Sequence, residues 1–377
     1  MRWLNQLFKI ETDYSKRIFG LDILRVIGIL LVIEAHGFNL VVQFFPKTFL
    51  LIPLLDKVNF SFILSGFLIG SSLIKLFNRE DFDFSKVKTF WIRRWLRTIP
   101  AYYLVITVYI LLRYTFTNVG FVFPWKHYFF LQNICTPEPD PYYFYPEAWS
   151  LAVEEWFYFS IPALLLLFHF LVSKFLGKKT LLITIILAVI GVSTFLRYNR
   201  ALHTPDLSIH DWNIWFRKVV LFRLDTLMIG MLAAFIKYYF HDFWTNEKNK
   251  LFAVSLFLLS VTLLLYPYFL HQSFWLKTFY ITQVSIAVAL LVPKLDSIKT
   301  GSGFWLKSIT FISKISFCIY LLNRTPILKS IQYLLPGNNL AACAFQYGLY
   351  VLLLFVSATL MHKFIEKPIL AFRDKVS

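Results

Sequence analysis

The chain has 377 residues, of which 58% are hydrophobic, 19% aromatic and only 16% charged. A soluble domain of this length cannot cover so much apolar surface with so few charges, which excludes an ordinary soluble fold. The formal net charge of +17 would suit a nucleic-acid binder, but here the cations gather between apolar stretches, as membrane topology requires, and nucleic acid is excluded as a partner.

The apolar residues fall into stretches of the length that crosses a hydrocarbon core as a helix, about 20 residues. In chain order the predicted spans are 21–43, 54–77, 97–116, 149–172, 180–197, 219–239, 250–269, 276–292, 315–334 and 341–363. The expected fold class is all-α: a polytopic transmembrane helix bundle of about 10 helices, forming a single membrane-embedded domain over 1–377. No appended soluble domain is expected. Residues 1–20 carry Arg2, Lys9, Lys16 and Arg17, and no small-residue cleavage site follows. They are expected to form a cytosolic juxtamembrane segment, with Trp3, Leu4, Leu7, Phe8 and Ile10 toward lipid.

With the N-terminus inside, segments 1–20, 78–96, 173–179, 240–249, 293–314 and 364–377 hold most of the Lys and Arg. An even number of spans then returns the C-terminus to the cytosol, giving an N-in/C-in topology. The outer stretch 117–148 contains Pro124, Pro137, Pro139, Pro141 and Pro146 and is expected to be rigid and partly folded onto the bundle. Cys135, Cys318 and Cys343 match no zinc or redox spacing and are expected to be small buried hydrophobes. His127, His203, His210 and His271 are expected at loops or boundaries, and no metal is expected. His362 and Glu366 fall at the inner end, where Glu366 is placed to pair with an arginine.

Ionisable residues inside a span are costly, so each is a functional candidate. The first span contains Asp22, Arg25, Glu34 and His36. Arg25 and His36 are eleven residues apart, almost three whole turns, so both share one helix face about 16 Å apart along the axis. Asp22 is spaced to pair with Arg25, whereas Glu34 points to the opposite side from His36. The fourth span brings Glu154 and Glu155 to nearly the depth of His36, where a carboxylate can orient a basic imidazole. Glu155 is preferred, with Tyr158 one turn beyond it. Ser65 and Gly66 fall near mid-membrane, where small residues permit close approach. Arg93, Arg94 and Arg97 return to the cytosolic boundary near Arg25 and form a cationic mouth suited to phosphates. These features suit a donor with a charged head and a long thin arm, such as an acyl-coenzyme A.

The same residues resemble the membrane-bound acyltransferase 3 family, which includes sugar, O-antigen and exopolysaccharide O-acetylases. The similarity runs over nearly the whole chain. Its motifs are Asp22–x–x–Arg25 with His36, then Ser65-Gly66-Phe67, then Arg94–x–x–Arg97–x–x–Pro100. Leu131-Gln132-Asn133, Trp149-Ser150-Leu151 through Glu154-Glu155, Phe222-Arg223-Leu224-Asp225 with Gly230, Ser316-Phe317 through Tyr320-Leu321-Leu322, and Glu366-Lys367-Pro368 follow in order.

The resemblance implies a cytosolic acyl-CoA donor, usually acetyl-CoA, an essential His36, and Arg25 and Asp22 supporting the donor with Arg93, Arg94 and Arg97. It implies a carbohydrate or glycolipid acceptor in the cell envelope of a bacterium, at its cytoplasmic membrane, among membrane lipids. Trp149, Ser65, Tyr158 and Arg223 are its candidate acceptor-side residues. Asn323 joins them because it stands where many members have a histidine, a departure that bears on acceptor choice. The esterase-like extracellular domain of some members is not seen, so any relay outward would use a separate extracytoplasmic partner. A transporter or flippase is the competing class. It should show broken helices near mid-membrane and repeat symmetry, and the sequence displays neither.

Overall fold

The computed structural model describes residues 13–44, 56–116, 123–137, 144–204, 207–269, 273–337 and 339–376. The lipid-facing reading of Trp3 to Ile10 and the placement of His271 lie outside the described residues. Among those described, no strand occurs, and each predicted span overlaps a helix. In chain order these helices are α1 (Phe19–Gly37), α2 (Val58–Phe77), α3 (Phe84–Phe116), α4 (Ala148–Val172), α5 (Lys178–Leu202), α6 (Leu224–Tyr239), α7 (Lys248–Phe269), α8 (Tyr280–Ala289), α9 (Gly303–Leu322) and α10 (Leu340–Met361). Six of them, α2, α3, α4, α5 and the extended α9 and α10, are long and apolar enough to cross a membrane. The protein is therefore a multi-pass, all-helical membrane protein. Of the other four, α1 carries Asp22, Arg25 and Glu34, α6 has 16 residues and α8 has 10.

Helix ends depart from hydropathy where polar residues are good helix formers. α3 begins at Phe84, well before the predicted 97, because the basic run through Lys86, Lys88, Arg93 and Arg94 continues the same helix. Pro100 and Pro162 lie within α3 and α4, which neighbouring helices permit inside a membrane bundle. Near residue 323 the predicted span continues through a π-helical segment. A π-helix, Asn323–Leu328, containing Pro326, joins α9 to Lys329–Leu334, and a second, His362–Glu366, joins α10 to Lys367–Val376. Proline removes a backbone donor and forces such an adjustment at the first site.

α2 is the most buried of the six apolar helices and packs chiefly on α6, with α1, α4 and α8 around it. Glycines set the α2–α6 approach. A Cβ on Gly66 would lie 2.0 Å from the Leu227 carbonyl oxygen, and one on Gly230 would lie 2.4 Å from that of Ile63. This is the small-residue packing that brings helix backbones together in lipid.

Two buried ion pairs fasten the bundle. Arg197 on α5 donates a 2.7 Å hydrogen bond to Asp225 on α6, both fully buried. Arg223 donates at 2.7 Å to Asp56 and also to Asn59, and Arg217 reaches the same Asp56 at 2.9 Å. Removing either partner of such a pair leaves an uncompensated buried charge.

The described parts of the stretch 117–148 fold onto the bundle. Asn133 donates hydrogen bonds to the Trp149 carbonyl at 3.0 Å and the Lys218 carbonyl at 2.6 Å, and Trp156 donates to the Phe130 carbonyl at 2.9 Å. His127, in the short helix Trp125–Tyr128 of this stretch, is buried with its ring against Phe144, and burial pushes its imidazole pKa down to about 4. Cys318 and Cys343 are buried, but Cys135 is exposed. That correction follows from its loop position, where only its backbone is engaged, by Arg200 at 3.0 Å.

Candidate functional site

The face of α1 that carries Arg25 continues through Ile29 and Val32 to His36, at the i, i+4, i+7, i+11 spacing of one helical stripe. Arg25, Ile29 and Val32 form one wall of a cavity of about 150 Å³ enclosed by α1, α2, α3, α4 and α9. The opposite walls supply Arg94, Arg97 and Thr98 from α3, Glu154 and Tyr158 from α4, Ser65 from α2, and Tyr320 from α9. The structure thus gathers six sequence candidates around one space: Arg25, Arg94, Arg97, Ser65, Glu154 and Tyr158.

Glu154 supplies the one carboxyl group among the described residues that line this cavity. Ser65 donates to one of its oxygens at 3.0 Å and Tyr158 to the other at 2.8 Å. Arg97 and Arg25 are the cations that act on it most strongly. Arg25 donates a 3.2 Å hydrogen bond to Ser313 on α9. Asp22 stands 3.9 Å from Arg25, but its closer partners are Arg17, which donates two hydrogen bonds, one of 2.8 Å, and Ser313, which donates at 2.7 Å. Asp22 therefore orients Arg25 chiefly through Ser313, and the expected direct pair is the weaker contact.

His36 lies one turn beyond Val32 and outside the residues lining the cavity. It is half-buried, and none of the described residues hydrogen-bonds it. The charges acting on it are cations, foremost Arg324, then Lys57, Arg217 and Lys218. Neither Glu154 nor Glu155 acts as its partner. Helix depth alone puts these groups on a common level, but α4 turns Glu154 into the cavity that Arg25, Arg94 and Arg97 line. Glu34, on the far side of α1 as its phase requires, forms a 3.1 Å ion pair with Lys57.

Several candidates are placed elsewhere. Glu155 does not line the cavity; it accepts a 2.6 Å hydrogen bond from Thr98, and the adjacent Glu154, 100° around the helix, takes the position preferred for it. Arg93 is exposed and stands 3.8 Å from Asp374. Successive residues of α3 diverge around the helix, so Arg94 and Arg97 turn inward while Arg93 does not. Trp149 is buried outside the cavity, with Arg217 and Arg223 over its ring at 4.9 and 5.9 Å. Arg223 is engaged by Asp56 and Asn59, so it joins helices rather than lining the cavity. Asn323 is buried, and both polar atoms of its amide lack a hydrogen-bond partner among the described residues. Glu366 binds His362 and Cys318 rather than an arginine.

Some residues of the site escaped the sequence reading. Asp56 and Lys57 begin the second span and are ionisable, so the rule applied to α1 would have found them. Tyr320 stands within the motif Ser316-Phe317 through Tyr320-Leu321-Leu322, whereas Glu147 carried no such signal. Tyr320 bonds Ser150 at 2.7 Å and also the Glu147 carbonyl, while the Glu147 carboxylate accepts from Thr325 through its backbone at 2.8 Å and its hydroxyl at 2.7 Å. These contacts tie the start of α4 to the π-helix after α9.

The fold and this site define a helical membrane bundle with an arginine-lined cavity and a histidine on the same helix stripe. The family profile described as an acyltransferase domain matches residues 18–362, and the chain belongs to that family. Its relatives include O-acetyltransferase OatA of Staphylococcus aureus strain NCTC 8325 / PS 47 and the protein of the same name from strain COL. Each is 26% identical over 392 residues, covering 96% of this chain. The chain spans 58% of the length of those relatives. No solved structure matches it.

Proposed function

We propose that the protein is an O-acyltransferase of a bacterial cytoplasmic membrane, with both termini in the cytosol, that moves an acyl group, usually acetyl, from acyl-CoA to a carbohydrate hydroxyl. The observation that carries this reading is the shared α1 stripe: Arg25 lines the arginine-bearing cavity, and His36 lies one turn beyond its lining on the same helix face. Family membership supports acyl transfer, and the O-acetyltransferase relatives support an acetyl group and an oxygen acceptor.

Arg25, Arg94 and Arg97 receive the phosphates of the donor at the inner end, where guanidinium forks match phosphate oxygens. A cavity of about 150 Å³ is close to one that accepts a single benzene, so it admits a thioester end while the nucleotide stays outside. His36 takes the proton of the acceptor hydroxyl, the oxygen attacks the thioester carbonyl, and the CoA thiolate leaves. The cations around His36 suit the negative charge that develops on the carbonyl oxygen. Asn323, beside Arg324, offers an unpartnered amide to the acceptor.

The test uses purified protein in detergent with radiolabelled acetyl-CoA and a panel of glycans and lipid-linked sugars. Label on an acceptor hydroxyl, lost in His36→Ala, is expected. Absence of thioester turnover with every acceptor, together with an unaltered cellular phenotype for His36→Ala, overturns the reading.

A further inference from the structure

Three unlike side chains converge where α9 meets the π-helix that follows α10. Cys318, His362 and Glu366 are all buried, and their ligand-type atoms lie within 4.8 Å of one another. His362 Nδ1 donates to Glu366 Oε2 at 2.7 Å, and the Cys318 thiol donates to the same oxygen at 3.2 Å. None of the three lines the arginine cavity. Motif spacing could not show this group, because Cys318 lies far in sequence from the His362–Glu366 turn.

We infer that Cys318, His362 and Glu366 form a binding site for a divalent transition metal, zinc being the best match to this donor set. Thiolate, imidazole and carboxylate are the three ligand types zinc takes, and a mixed sulfur, nitrogen and oxygen set disfavours magnesium and calcium. Both protons now directed at Glu366 occupy the space between the three donors, where a cation would sit. On binding, the thiol proton leaves to solvent, the imidazole proton moves from Nδ1 to Nε2, and Glu366 remains a carboxylate. One thiolate and one carboxylate then balance the dication, so the buried cluster is neutral and avoids the cost of an uncompensated charge. Metal–ligand distances of about 2.0 to 2.3 Å need the His362–Glu366 contact to open by only a few tenths of an ångström. A π-helical turn, which recurs at functional sites, presents two of the ligands, and exposed Lys367 marks an aqueous edge from which an ion can enter. The site would staple α9 to α10.

The experiment measures metal content by mass spectrometry on the full chain, purified in detergent through a tag free of histidine and without chelators, and titrates the chelator-stripped protein with Co²⁺. About one zinc per chain and a near-ultraviolet thiolate-to-cobalt absorption band are expected. Cys318→Ser should abolish the band, and His362→Ala should weaken Co²⁺ binding at least tenfold. A wild-type protein that holds no zinc and shows no cobalt–thiolate band overturns the proposal, as does full zinc occupancy in Cys318→Ser. The wild-type titration decides even where a variant fails to fold.

Discussion

Ser65 donates a 3.0 Å hydrogen bond to Glu154, fixing a carboxylate of α4 against α2 in the same cavity as Arg25 and Arg97. The sequence reading preferred Glu155, but only Glu154 lines the cavity. Glu154→Gln is expected to lower acyl transfer at least tenfold, because it removes the carboxyl group that lines the cavity with Arg25 and Arg97. Glu155→Gln, which keeps an acceptor for Thr98, should leave transfer within a few-fold of wild type. Rate measurements that rank the two variants in the opposite order would reject Glu154 as the site carboxylate.

His36→Ala should reduce acyl transfer by a factor of about 10² or more, the usual scale of a lost general base. Binding of a non-hydrolysable acyl-CoA analogue should persist, because the arginine-lined cavity does not include His36. Equal loss of binding and turnover in calorimetry and rate assays would show that His36 holds the donor instead.

Arg25→Ala and Arg97→Ala should each weaken CoA binding by about 1–3 kcal/mol, the scale of one charged hydrogen bond. Arg93→Ala should change it little, since that side chain is exposed beside Asp374. Isothermal titration of the three variants separates an inward-facing site from a diffuse basic surface, for which all three would weaken alike.

Gly66→Leu should prevent normal assembly, because a single Cβ already meets the Leu227 backbone at 2.0 Å. Backbone cannot swing aside as a flexible side chain can, so α2 and α6 must separate. Even Gly66→Ala is expected to cost about 1–3 kcal/mol, visible as a lower melting temperature in detergent. An unchanged melting temperature would mean that the two helices do not approach this closely.

His127 links stability to pH. Its folded-state pKa of about 4 lies below the ordinary value of 6.5 because burial disfavours the charged ring. The unfolded chain therefore binds the extra proton first as pH falls. The contribution of neutral His127 is complete above pH 6.5 and is lost between there and pH 4, on the order of 3 kcal/mol at full extent. His127→Phe should flatten that part of the melting-temperature profile; an identical slope in wild type and variant would remove His127 as its source.

The sequence by itself determined the membrane class, the helices and the Arg25–His36 stripe, because hydropathy and helical phase are local properties read along one chain. It also determined that α3 and α4 bring arginines and carboxylates to the bundle. Tertiary structure alone decided that Glu154 faces the arginines and Glu155 faces Thr98, that Arg223 is engaged by Asp56, and that Arg93 turns outward. Those outcomes depend on how each helix is rotated against its neighbours. A rotation of 100° exchanges adjacent residues between cavity and wall, and packing contacts such as Gly66 on Leu227 fix that angle. The convergence of Cys318 with His362 and Glu366 likewise depends on two distant helices meeting, which no periodicity within either segment records.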